Sequence, residues 1–454
     1  MKSVNQHEMN VETQVNLKSD KTIAIRDLAF WLATAFVALS VLAPMTHALR
    51  YFIQHPIYDV MHDIDYAYGY CGLARIHSFA DTGRWWTGTW HVDHAPFWRP
   101  LTSYVSWFMY LAWPKDDLFH RELVTLAFHL CFLVVATATL WRLTGKRWLV
   151  LTTMWLFAGM RFAGMGSTPD PVSRVVIYPK CYHEPLVSMF ILLAVLMIVN
   201  GRWIAGLACA IISVLFKETG FMAWPVVILA LAWEHRSTVF RSDGLRYVTA
   251  GITRYWVAIS CWGLTFVALA LFHYHAVGIG FNMGTPHSWP WRAFCFFSGP
   301  VLGILDTPQR GLGVIAIILL AAIVLTRRRS FLVRFFGILA ALGLGIGINA
   351  WTCGTDWSVS FAMIVESSVF NILSMTIWLL IAWNARMEWP VAAFGMLVSM
   401  VLSAPTWMAS QVLPHARYAS VLFLELVVAT ALCSAVESAW NWVGSIRKRE
   451  ECEK

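Results

Sequence analysis

Residues 185–233 have the sequence PLVSMFILLAVLMIVNGRWIAGLACAIISVLFKETGFMAWPVVILALAW, a series of apolar segments separated by short polar breaks. The breaks lie at 200–202 (Asn-Gly-Arg) and 217–219 (Lys-Glu-Thr), and they hold every charged residue of the stretch. Helices that are apolar on all sides lie inside a large protein core or in a lipid bilayer. This stretch therefore predicts several consecutive membrane helices.

The composition of the whole chain supports the same class. Of its 454 residues 58% are hydrophobic and only 13% are charged, which is far from the balance of soluble domains. The net charge of +8 comes from basic residues at predicted helix ends, so we expect no nucleic-acid partner. The nine cysteines are scattered without a CxxC pair, which indicates neither a disulfide framework nor a thiolate metal site.

Hydropathy predicts an all-α, polytopic transmembrane protein with about twelve spans. A cytoplasmic tail (1–26) precedes a single transmembrane domain (27–440), and a second cytoplasmic tail (441–454) follows it. The first helix shows no cleavage site and is expected to be retained. The predicted spans are 28–48, 121–141, 148–160, 185–199, 203–216, 220–233, 255–273, 311–326, 334–351, 359–383, 390–404 and 418–439.

The distribution of Lys and Arg predicts the orientation. Basic clusters such as 142–147, 236–254 and 327–334 all fall on one side if the N-terminus is cytoplasmic, as the positive-inside rule requires. Residues 101–113 are too few to span and are expected to form an interfacial helix in a long extracytoplasmic loop, 49–120. We expect a multi-pass protein with both termini in the cytoplasm, in the cytoplasmic membrane if the source is bacterial.

Polar motifs interrupt this apolar chain, and the predicted topology places all of them on the extracytoplasmic side. Ionisable groups at the edges of membrane spans are costly, so their convergence predicts a functional site there. The motifs are His62-Asp63-Ile64-Asp65, His91-Val92-Asp93-His94, Trp98-Arg99-Pro100-Leu101, Tyr178-Pro179-Lys180 with His183-Glu184, Lys217-Glu218, and His415-Ala416-Arg417-Tyr418.

These residue types suit one kind of chemistry. A carboxylate near a membrane surface, Asp63 or Asp65, can act as a general base. Cations can hold a phosphate that gains charge as a bond to it breaks; the candidates are Arg99, Lys180, Lys217 and Arg417. Together they predict transfer of a group from a polyprenyl phosphate to a hydroxyl.

Each motif also has a simpler interpretation. The Asp-x-Asp pair fits an ordinary solvated loop, Arg99 fits a headgroup anchor, and Lys217 with Glu218 fits a local ion pair at a helix junction. The residues His91, Asp93 and His94 include ligand types for a divalent metal, but loop residues of these types more often make surface hydrogen bonds. We therefore predict no cofactor, with a divalent metal kept as the alternative. Glu366, inside a predicted span, fits either an ion pair or a cavity lining.

The order of several short blocks resembles a known class of enzymes. The blocks are the acidic motif after the first helix, Trp98-Arg99-Pro100-Leu101-Thr102, Phe128-His129-Leu130, Trp141-Arg142-Leu143-Thr144-Gly145, Tyr178-Pro179 with His183-Glu184, and Leu215-Phe216-Lys217-Glu218-Thr219-Gly220. In order and spacing the chain resembles GT-C class membrane glycosyltransferases. It is most similar to the dolichyl-phosphate-mannose-dependent protein O-mannosyltransferases, including those with tetratricopeptide repeats, and the resemblance covers about residues 27–235.

This resemblance implies an inverting transfer, metal-independent or metal-assisted, of a sugar from a polyprenyl-phosphate donor on the extracytoplasmic face. By this resemblance Asp63 or Asp65 takes the position of the catalytic base, Arg99, Lys217 and Glu218 match residues near the site, and Arg417 faces the lipid phosphate. The full set of expected substrate-binding residues is His94, Arg99, Lys180, His183, Glu184, Lys217, Glu218, His415, Arg417 and Tyr418. The chain departs from the pattern in having Asp-Ile-Asp where relatives often have adjacent acids. It also carries no tetratricopeptide repeats, so the acceptor, whether glycan, lipid or protein, stays open.

Three other functions remain compatible with the sequence. A ligase or polymerase of lipid-linked glycans needs the same cations and a larger outer cavity. A transporter or flippase usually has polar residues at the midplane and two related halves, which the sequence does not show. A non-catalytic relative that serves as a membrane partner is the third.

Overall fold

The structure is a computed structural model. It describes residues 27–43, 45–46, 48–50, 53, 72–90, 97–113, 117–159, 172, 179–239, 244–277, 389–408 and 418–452. Within these ranges every regular element is a helix and there is no strand. The predicted all-helical class is therefore confirmed for the described residues.

Three of the described helices are long and apolar enough to cross a membrane. They are α1 (Asp27–Arg50), the segment Phe119–Thr144 of a longer helix, and Tyr255–Val277, with 24, 26 and 23 residues. A span needs about 20 residues, so each meets the requirement. These helices support a membrane protein, while the predicted spans 311–326, 334–351 and 359–383 lie outside the described residues.

Most predicted helices have counterparts within a few residues of the expected bounds, because apolar runs end at Gly, Asn and charged residues. The predicted span 148–160 begins as an α-helix and continues as a π-helical turn, Trp155–Gly159. In chain order the described α-helices of eight or more residues after α1 are α2 (Pro100–Ala112), α3 (Leu118–Thr144), α4 (Arg147–Met154), α5 (His183–Val199), α6 (Trp203–Phe216), α7 (Ala223–Glu234), α8 (Gly244–Val277, kinked at Tyr255), α9 (Trp389–Met408) and α10 (Tyr418–Cys452).

Helix α2 is the segment for which we predicted an interfacial helix. Its 13 residues make it about 20 Å long, shorter than the roughly 30 Å hydrocarbon core of a bilayer. Ser103, Ser106 and Trp107 are buried, while Phe108 and Leu111 are exposed. The helix thus presents one face to the protein and an apolar face away from it.

Helices α5 and α6 form a tight antiparallel hairpin. Gly201 in the connecting turn has a φ of 77°, the left-handed conformation that glycine adopts without strain. A Cβ added at Gly206 would lie 2.7 Å from a side-chain carbon of Ile198, so the two helices pack without room for a larger residue. This close contact holds the start of α5 level with the end of α6.

The junction between α6 and α7 also depends on a glycine. Lys217 has an extended backbone (φ −164°, ψ 150°) that ends α6, and a 3-10 turn, Glu218–Met222, leads into α7. A Cβ added at Gly220 would lie 2.2 Å from the carbonyl carbon of Ser213. The hydroxyl oxygen of Ser213 lies within hydrogen-bond distance of the carbonyls of Ala210 (2.7 Å) and Gly220 (3.1 Å), and sharing its proton between them fixes the turn against α6.

Arg142 joins the C-terminal ends of three helices. Its guanidinium donates to both carboxylate oxygens of Glu234 (3.0 and 3.3 Å), to Asn200 Oδ1 (3.2 Å) and to the carbonyl of Val199 (3.3 Å). Helices α3, α5 and α7 therefore run parallel, with α6 antiparallel to them. We call this the Arg142 end of the helices. Arg147 Nη1 lies 2.9 Å from Asp27 Oδ1, and this ion pair connects the starts of α4 and α1.

Candidate functional site

At the end opposite Arg142, three segments that are distant in sequence meet. They are the start of α2, the start of α5 and the α6–α7 junction. The Thr102 hydroxyl on α2 donates to the carbonyl of Phe216 (2.5 Å), and the Tyr182 hydroxyl donates to the carbonyl of Thr102 (3.0 Å). The Tyr182 hydroxyl also contacts the hydroxyl of Ser106. These bonds fix α2 against both other segments.

Five charged or ionisable residues gather at this meeting point, and we call them the charge cluster. All five are buried or nearly so. They were each predicted as substrate-binding residues: Arg99, His183, Glu184, Lys217 and Glu218.

Arg99 and Glu218 form a two-pronged ion pair. Arg99 Nε lies 2.9 and 3.2 Å from the two carboxylate oxygens, and Nη2 lies 2.9 Å from Oε2. The guanidinium carbon also stands 4.7 Å from the ring centre of Trp90 and 4.1 Å from that of Phe97. Charge-assisted hydrogen bonds and aromatic faces together hold the arginine in one orientation.

Lys217 pairs with Glu184 on the neighbouring helix. Lys217 Nζ contacts Glu184 Oε1, and His183 Nε2 lies 3.5 Å from the same oxygen. The side chains of Glu184 and Lys217 are 2% and 7% exposed, so this pair is buried from solvent. Burial makes the partner essential, since a lone charge here would be very costly.

The cluster thus contradicts the local ion pair considered for Lys217 and Glu218. These residues are neighbours in sequence, yet each pairs with a charge from another element. The extended backbone at Lys217 separates their side chains, because successive residues of an extended chain point to opposite sides.

The surroundings of Glu218 favour its ionised form, and those of Tyr182 favour its neutral form. Burial opposes ionisation of Glu218, but the charge and hydrogen bonds of Arg99 outweigh it, and the pKa of the Glu218 carboxyl lies below its usual value. Burial raises the pKa of the Tyr182 phenol, which therefore stays neutral and donates its hydrogen bond. Two cations and two carboxylates make the ion pairs of the cluster neutral overall.

Tyr418 is placed elsewhere, in the packed core. Its side chain is fully buried, its hydroxyl lies 2.5 Å from Nδ1 of His129, and its ring packs against Phe132 and Phe157. These contacts explain the burial of Tyr418 by packing alone. Its predicted role in substrate binding stays a prediction.

The remaining predicted residues are only partly covered by the structure. Lys180 lies in a 3-10 turn, Pro179–Tyr182, directly before His183, and its side chain is outside the description. The other predicted site residues and the metal candidates lie outside the described residues: Asp63, Asp65, His91, Asp93, His94, Glu366, His415 and Arg417. Within the described ranges no group of three or more His, Cys, Asp or Glu is placed to hold a metal.

Two neighbours of the cluster were missed by sequence reasoning. Trp98 stands in a predicted motif without a role of its own, and in the structure it is only 1% exposed and packs inside the protein. His273, near the end of α8, lies against Trp98 and Phe221 with 6.1 Å between ring centres in each case. The sequence Phe-His-Tyr-His at 272–275 contains two histidines, and hydropathy does not indicate which one faces the protein.

Comparison with known proteins yields no relative. No protein-family model, no curated protein and no solved structure matches the chain. The resemblance to GT-C enzymes therefore rests on the sequence blocks quoted above.

Proposed function

We propose that this protein is a membrane glycosyltransferase of the GT-C type. It moves a sugar from a polyprenyl-phosphate donor to a hydroxyl acceptor on the extracytoplasmic face, with inversion at the sugar carbon. The observation that carries the proposal is the charge cluster, because three of the blocks that prompted the resemblance meet there: Arg99-Pro100-Leu101, His183-Glu184 and Lys217-Glu218.

The cluster supplies a fixed cation for the donor phosphate. The interactions of Arg99 with described residues run through Nε and Nη2, which leaves Nη1 for a phosphate oxygen. Glu218 and the two aromatic rings hold the guanidinium in place before substrate arrives. A preorganised cation stabilises charge that develops on the leaving phosphate without moving at the moment of reaction.

The base belongs to the first loop in this proposal. Asp63 or Asp65 accepts the proton of the acceptor hydroxyl as the hydroxyl oxygen attacks the sugar carbon. The bond between that carbon and the phosphate oxygen breaks, and its electron pair leaves with the polyprenyl phosphate. Glu184 and Glu218 suit this role less well, because each is paired with a buried cation. Replacing the correct acid with Asn is expected to slow transfer about 100 to 10,000-fold with little change in donor affinity.

Analysis of a deletion strain tests the proposed function. A missing transferase leaves its lipid-linked sugar donor accumulated on the extracytoplasmic face, with the acceptor lacking that sugar. A missing flippase leaves the donor on the cytoplasmic face. That outcome would contradict the proposed transferase and favour the transporter or flippase function. Mass spectrometry of surface glycans, combined with donor digestion in sealed vesicles of each orientation, distinguishes the two.

A further inference from the structure

His273 is turned toward the protein on a helix that is otherwise mostly exposed. Its neighbours Phe272, Tyr274 and His275 are all exposed, whereas His273 is partly buried. Its imidazole meets the rings of Trp98 and Phe221 edge to face, with interplanar angles of 89° and 82°. These two rings come from the segments on either side of the charge cluster and fix the orientation of the imidazole.

The two rings place the imidazole beside the segments that carry the Arg99–Glu218 ion pair, because Trp98 directly precedes Arg99 and Phe221 lies in the same 3-10 turn as Glu218. Its Nε2 atom is buried and has no hydrogen-bond partner among the described residues. The hydroxyl of Thr219, the residue that follows Glu218, is buried and unpartnered in the same way. Folded proteins leave few buried polar atoms unsatisfied, so two beside one ion pair point to a polar ligand.

The chemistry of the surroundings selects an anionic ligand. A phosphate oxygen accepts hydrogen bonds and carries negative charge, which suits both Nη1 of Arg99 and an imidazole with its proton on Nε2. The two ion pairs of the cluster are neutral overall, so additional donors are needed to hold a phosphate firmly. His273 provides one without adding a competing carboxylate.

We propose that Nε2 of His273 donates a hydrogen bond to the phosphate of the polyprenyl-phosphate donor, which makes His273 a substrate-binding residue of the site. This inference rests on the proposed function. In the reaction the bond between the sugar carbon and the phosphate oxygen breaks, and its electron pair stays on that oxygen. The loop carboxylate takes the proton of the acceptor hydroxyl. The hydrogen bond from His273 is present in the donor complex and strengthens as the phosphate gains charge, so its loss weakens binding and slows transfer.

The decisive experiment measures binding of a polyprenyl phosphate without sugar to the full-length protein in nanodiscs of zwitterionic lipid. His273→Phe keeps the ring contacts and removes the N–H group that donates the hydrogen bond. It is expected to weaken binding roughly tenfold or more, since a hydrogen bond to a charged group is lost. His275→Phe is the matched control, because it makes the same change two residues away at an exposed position. It is expected to bind like the unmodified protein.

Two amide variants keep the proposal testable if the phenylalanine variant unfolds. Gln places its amide nitrogen near the position of Nε2, whereas Asn places it near Nδ1. His273→Gln is therefore expected to bind more tightly than His273→Asn, and equal binding by the two would overturn the assignment of Nε2.

The outcomes separate this inference from the function on which it rests. If the unmodified protein binds no polyprenyl phosphate, the proposed function fails. If it binds and His273→Phe binds equally well, only the role of His273 is overturned. A further arm adds phosphatidylglycerol as a competitor. Displacement of polyprenyl phosphate by an equal concentration of this lipid would show a general anionic-headgroup site and contradict the proposed donor.

Discussion

At the level of single residues, the cluster consists of two crossed ion pairs, in which the sequence neighbours Lys217 and Glu218 each pair with a residue of another segment. Arg99 with Glu218 joins α2 to the α6–α7 junction, and Lys217 with Glu184 joins that junction to α5. Buried pairs of this kind add little net stability over an apolar core, but removing one partner leaves an uncompensated charge. The two ion pairs therefore hold α2, α5 and the α6–α7 junction together and fix the orientation of the Arg99 guanidinium.

The Lys217–Glu184 pair is expected to show strong coupling in a double-mutant cycle. Lys217→Met and Glu184→Leu should each destabilise the protein by about 3–5 kcal/mol, whereas the double variant should lose much less than the sum. Unfolding in detergent, followed by tryptophan fluorescence, measures the effect. The Arg142–Glu234 pair is the control: its side chains are 38% and 29% exposed, and the coupling should be smaller. Additive losses at Lys217 and Glu184 would show that the two do not interact.

The lowered pKa of the Glu218 carboxyl predicts how the stability of the protein depends on pH. Its pKa is lower in the folded protein than in the unfolded chain, so the unfolded chain takes up the proton first as the pH falls. The contribution of Glu218 is complete above its unfolded pKa and is lost as the pH falls through its folded pKa. The unfolding temperature should therefore decline in acid, and Glu218→Gln should flatten this decline. An unchanged acid profile in the variant would contradict the effect of Arg99 on Glu218.

At the level of helices, the sequence predicts positions better than partners. Runs such as 203–216 match an observed helix because polar residues and glycine end the apolar pattern at both sides. The crossed ion pairs were not predictable, because local sequence places Lys217 beside Glu218 and says nothing about Glu184, which is 33 positions away. His273 was missed for a related reason: an apolar helix carries no signal for the face that meets the protein.

The α6–α7 junction is expected to require glycine at position 220. Gly220→Ala would place a methyl carbon 2.2 Å from the backbone of Ser213, and backbone cannot yield as a side chain can. We expect a clear fall in unfolding temperature and loss of donor binding, since Lys217 and Glu218 would shift. Gly263→Ala on α8 is the control, because its added carbon would meet no atom within 4 Å. Alanine favours helices over glycine by roughly 1 kcal/mol, so this variant should be as stable or more stable. Equal effects of the two changes would contradict the close contact at the junction.

At the level of the whole molecule, the helices have two distinct ends. Arg142 and the Arg147–Asp27 pair lie at one end, and the charge cluster lies at the other. In the predicted topology the Arg142 end faces the cytoplasm and the charge cluster faces outward, and this orientation stays a prediction. The predicted catalytic acids, Asp63 and Asp65, lie outside the described ranges, and their role stays a prediction.

Cysteine labelling tests this orientation. In a background without native cysteines, Val92→Cys should react with an impermeant maleimide in intact cells, because the loop 49–120 is expected outside. Ser242→Cys should react only after the membrane is opened, because the predicted topology places residues 234–254 in the cytoplasm. The reverse pattern would place the charge cluster on the cytoplasmic face and remove the basis for an extracytoplasmic reaction.

The most direct test compares two arginines that make the same kind of ion pair at opposite ends. Purified Arg99→Gln and Arg142→Gln variants are assayed for sugar transfer from a polyprenyl-phosphate donor, each after its unfolding temperature is checked. Arg99→Gln should lower kcat/KM roughly 100-fold or more, since it removes a fixed donor to the leaving phosphate, and Arg99→Lys should recover only part of the loss. Arg142→Gln should transfer within about twofold of the unmodified protein, because its ion pair lies at the far end of the helices and has only a structural role. Equal transfer by the two folded glutamine variants, or no transfer by the unmodified protein from any polyprenyl-phosphate sugar, would contradict the proposed function.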